Sequence, residues 1–111
     1  REPSRLVLLN ADTGAVLSAV DTVGDSDDVW VDGERVYVTG GEGRGAVYGI
    51  GGTQNVSLAH LEDVPTTKMA RTSLFDPVSR RLFLAVPRYD ESSAEASVWV
   101  YAAAANQTGE R

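Results

Sequence analysis

The stretch DVWVDGERVYVTGG, residues 28–41, decides how the whole chain is read. Two short apolar runs, Val29 to Val31 and Arg35 to Thr39, flank Asp32-Gly33-Glu34. Val, Trp, Tyr and Thr suit an extended backbone, and glycine between the runs supplies the positive φ of a tight turn. The segment predicts a β-hairpin. A second copy follows in TSLFDPVSRRLFLAVP, residues 72–87. Asp76 falls on Asp32, and Arg81-Leu82-Phe83-Leu84 falls on Arg35-Val36-Tyr37-Val38. A strand pattern recurring at roughly 40–50 residues is the mark of a propeller array.

Working outward, further runs of the same kind span Leu6 to Leu9, Ala15 to Val20, Ala46 to Ile50, Val56 to Leu61 and Ser97 to Tyr101. Thr72 to Phe75 and Leu82 to Val86 belong to the repeated hairpin. Gly, Asp, Asn, Pro and Ser clusters separate the runs, and no segment has a helical period with caps. The segments RLVLLNADTG (5–14), GAVYGIGG (45–52) and SVWVY (97–101) share their alternation, as third strands of successive units would. The expected fold is all-β, a partial β-propeller of four-stranded antiparallel meander blades, about two and a half in number. Residues 1–22 supply the outer strands of one blade, 23–64 a complete blade, 65–101 a last, incomplete blade, and 102–111 a flexible tail. Such blades hide their edges by closing a ring of roughly four to eight. The fourth strand of the last blade would therefore come from elsewhere, most simply from upstream in a longer parent.

Composition narrows the function. The 111 residues are 42% hydrophobic and 23% charged, with 16 acids against 10 bases and a net charge of −6. Lys68 is the sole lysine, so no basic stripe is present to neutralise phosphates, and nucleic acid is excluded as a partner. No apolar run approaches the roughly 18 residues of a membrane span. Without cysteine there is no thiol chemistry and no Cys-based metal site. Arg1 opens the sequence and Met69 is its only methionine, so it reads as a mature product or a fragment.

Two stretches, VGDSDDVWVDGERVYVTGGEG (23–43) and VPTTKMARTSLFDPVSRRLFLAVPR (64–88), resemble the last two blades of the YVTN-repeat β-propeller family. The segments ARTSLF (70–75), LFLAVPR (82–88) and SVWVY (97–101) resemble its C-terminal blade. The resemblance implies a seven-bladed ring exported by bacteria, hence a periplasmic or extracellular protein, and it identifies no reaction.

Several residue groups invite a chemical reading. In the glycine-rich loop, Gly41, Gly43 and Ala46 fit a loose dinucleotide fingerprint, but a β-run follows where a helix N-terminus is required. A hairpin turn is expected there instead. Asp25, Asp27 and Asp28 precede an innermost strand, at the rim of the central channel. Three carboxylates suit a hard cation, yet the spacing lacks the calcium-loop pattern, and strand-start capping is the favoured reading. Aligning the blades sets Asp27 opposite Arg71, where they pair across the seam or face a channel ligand together. Asp27, Asp28 and Arg71 are therefore the candidate ligand residues at the channel mouth.

His60, the only histidine, lies in an outer run, the wrong place for a catalytic triad or metal cluster. Trp30, Tyr37, Tyr48, Phe75, Phe83, Trp99 and Tyr101 read as interblade core. Asn55-Val-Ser57 and Asn106-Gln-Thr108 match a glycosylation sequon, which is discounted because the resemblance implies a bacterial chain. Ala102 to Ala105 suit one helical turn before a polar tail. No cofactor and no metal is indicated. The expected function is a non-catalytic binding scaffold, its partner an unidentified protein or small molecule at the ring face. Beyond that ligand, it associates with the remaining blades or with itself through open sheet edges. The competing expectation is a fragment of a propeller enzyme, a quinoprotein-like oxidoreductase or a lactone hydrolase.

Overall fold

The computed structural model describes residues 3–88 and 95–104. It contains β1 (Arg5–Leu9), β2 (Val16–Asp21), β3 (Ser26–Asp32), β4 (Arg35–Gly40), β5 (Arg44–Gly51), β6 (Ser57–Pro65), β7 (Ser73–Asp76), β8 (Arg81–Val86) and β9 (Ser97–Ala102). Each expected run became a strand. They form three antiparallel meander sheets, β1-β2, β3-β4-β5-β6 and β7-β8-β9. The protein is thus all-β, with the sheet pattern of a partial propeller.

Turn chemistry explains why neighbouring strands pair. Asn10 Oδ1 accepts from the amides of Asp12 and Thr13, and Gly14 follows at φ 79°. Gly33 at φ 62° closes the β3–β4 hairpin. Asp76 accepts from the Val78 and Ser79 amides and the Ser79 hydroxyl, and the longer β7–β8 turn ends on Arg80 at φ 58°. The repeat is also written in the backbone. Asp25 and Met69, equivalent when Asp32 is set on Asp76, are both left-handed, at φ 54° and 74°.

Sheets stack so that strands of equal rank meet. β3, first in its sheet, touches β7, first in the next, and β2 touches β6, each the last strand of its sheet. The middle sheet is covered on both sides, which explains the unbroken burial of β4 from Val36 to Gly40. Val36, Val38, Ala46, Tyr48 and Leu58 face the first sheet, packing with Leu6, Leu8 and Val20. Tyr37 and Val47 face the third, packing with Phe75, Leu82 and Ala103. A third cluster, Ala70, Leu84 and Val86, is covered by Tyr101.

Three expectations change. The tail does not begin at residue 102, and no helical turn forms there. Ala102 pairs with Arg81, and the Ala103 amide donates to the Arg80 carbonyl at 2.9 Å, because Ala103 is small enough to enter the core beside Tyr37. Residues 105–111, including Asn106, lie outside the described residues. Trp99 is not core: it remains 39% exposed on β9, the outer strand of its sheet, while Tyr37, Tyr48 and Phe75 are buried as expected.

Candidate functional site

The acidic cluster before β3 lies on the seam with β7. In a regular strand Asp27 and Asp28 would point to opposite faces. The β3–β4 register shifts between Ser26 and Asp28, and such a bulge re-aims side chains, so both carboxylates reach the next sheet. Asp27 Oδ2 accepts from the Thr72 hydroxyl at 3.1 Å, and Asp28 Oδ2 accepts from the Ser73 amide at 2.8 Å. Asp25, turned by its left-handed backbone, accepts from Arg71 Nη1 at 2.8 Å.

The expected seam ion pair therefore exists with a different partner. Arg71 is bound by Asp25, and Asp27 takes the neighbouring hydroxyl. Strand-start capping gives way to cross-seam fastening, since all three acids bond residues at the start of β7 or just before it. The bulge and the left-handed residue are tertiary outcomes that strict two-residue alternation does not foresee.

Deeper along the seam runs a polar relay with one consistent donor direction. Trp30 Nε1 donates to Ser73 Oγ at 2.9 Å, and Ser73 Oγ lies 2.9 Å from Thr39 Oγ1. The Thr39 hydroxyl donates to the Arg71 carbonyl at 2.8 Å, so the Ser73 proton is left for Thr39 to accept. Thr39 is buried, and this chain satisfies it. At the other end Arg80 donates from Nε and Nη2 to Asp32 Oδ2 at 2.9 and 2.7 Å.

The glycines of the β4–β5 hairpin have a steric role. A Cβ on Gly41 would collide with the Asp25 carboxylate, and one on Gly40 would sit 2.6 Å from the Gly24 carbonyl. Neither has a positive φ; Gly43, at φ 119°, does. The loop leads into strand β5, where a dinucleotide site would have its helix.

A cavity of about 320 Å³ adjoins Arg71, lined also by Met69, Thr72, Val86, Pro87 and Ser97. A second cavity, about 260 Å³, lies away from the acids, between the middle and third sheets, and is mainly apolar. Tyr37 and Thr66 border it, and the buried Thr66 hydroxyl has no hydrogen-bond partner among the described residues. Burial first, then the Asp32 charge, raises the Tyr37 pKa, and nearby Arg80 opposes both.

His60 sits on exposed outer strand β6, tilted against Tyr48 with ring centroids 5.3 Å apart. Its Nε2 lies 2.8 Å from Asp63 Oδ1, which also accepts from Arg44 Nη1 at 2.7 Å. Arg44 Nε donates to Glu42, whose Oε1 accepts from the Gly24 amide. The His60 contact, ahead of Arg44, holds the Asp63 pKa below its ordinary value. Arg44 and the Gly24 amide do the same for Glu42. No helix among the described residues is long and apolar enough to cross a membrane. No protein-family model matches the chain, and no curated protein or solved structure matches it.

Proposed function

We propose that this chain forms the closing blades of a YVTN-type, seven-bladed β-propeller exported by bacteria to the periplasm or the cell exterior. In that ring it is a non-catalytic scaffold whose face and channel mouth receive a protein or small-molecule ligand. The observation that carries the reading is the stacking of equal-ranked strands, β3 on β7 and β2 on β6. Radial packing brings first strands together at a channel and last strands together at a rim. Asp27, Asp28 and Arg71 each bond across the seam, which supports a structural role for them within the scaffold. Side chains so engaged hold blades in register.

The test is the gene product read from its own start codon. It should show further blade repeats upstream, purify as a monomer, and give ring-shaped particles in electron micrographs. It should also lack lactonase and quinone-dependent dehydrogenase turnover. An upstream sequence without blades, or turnover abolished by Arg71→Ala in a folded variant, would overturn the reading.

A further inference from the structure

We draw no further inference here: the strongest candidate, the mainly apolar cavity of about 260 Å³ between the middle and third sheets that the buried Thr66 hydroxyl borders, is walled in part by Ala103 and Ala104 at the limit of the described residues, so nothing in the structure shows what covers it.

Discussion

Asp25 and Arg71, 46 positions apart in sequence, meet at 2.8 Å across the boundary between two sheets. The contact depends on a left-handed backbone at Asp25 and on the missing side chain at Gly41. It shows how the seam is built: short-range backbone irregularities on β3 aim polar groups at the first residues of the next sheet.

Glycine substitutions should separate room for a side chain from room for the backbone. Gly41→Ala displaces a carboxylate end that can rotate away, so its cost should match the loss of one exposed ion pair, about 0.2–1 kcal/mol. Gly40→Ala presses on the Gly24 carbonyl and Val23, neither of which can swing aside, and should cost about 1–3 kcal/mol. Urea denaturation of the two variants checks the order, and equal costs would contradict this account.

The Arg80 turn combines an ion pair with a strained backbone. Arg80→Ala removes the Asp32 contact and keeps a left-handed non-glycine residue, whereas Arg80→Gly removes the contact and relieves the strain. The glycine variant should be more stable than the alanine variant by about 1 kcal/mol. Thermal melts of the pair measure this directly.

Tyr48 anchors the first seam through its hydroxyl, which lies 3.0 Å from the Asp21 carbonyl and 2.8 Å from Thr22 Oγ1. At 1% exposure it is among the most buried large side chains. Tyr48→Phe should cost about 0.5–1.5 kcal/mol, and Tyr48→Ala about 3–5 kcal/mol, because the latter also opens a cavity. A Phe variant indistinguishable from the unsubstituted chain would show that the hydroxyl contacts add nothing.

Stability should fall on the acid side. Glu42, Asp63 and Asp76 all have pKa values lowered by hydrogen bonds to their ionised forms, chiefly from Arg44, His60 and Ser79 respectively. The folded state thus favours the carboxylate. That contribution is present above the unfolded values near about pH 4 and is lost as pH drops through the lower folded ones. Melting temperatures should stay level from about pH 7 to 5 and decline below about pH 4, with a shallower decline in Asp63→Asn. All three carboxyls are exposed, so the effect of each is small.

The nine strands, their antiparallel pairing and their grouping by repeat were legible in the chain itself. Strand propensity, two-residue alternation and turn residues such as Gly33 and Pro77 act over a few positions, and local rules therefore reach them. The sequence likewise brought Asp27, Asp28 and Arg71 to one seam, because the repeat alone aligns β3 with β7. Which acid meets Arg71 was decided only by the tertiary structure. The bulge at Asp27 and the left-handed backbone at Asp25 accompany the bonds that Asp25, Asp27 and Asp28 make to Arg71, Thr72 and Ser73. Ala103 entered the core and Trp99 stayed out for a related reason: burial follows the neighbour a side chain finds, and among the described residues β9 has a strand neighbour on one side alone.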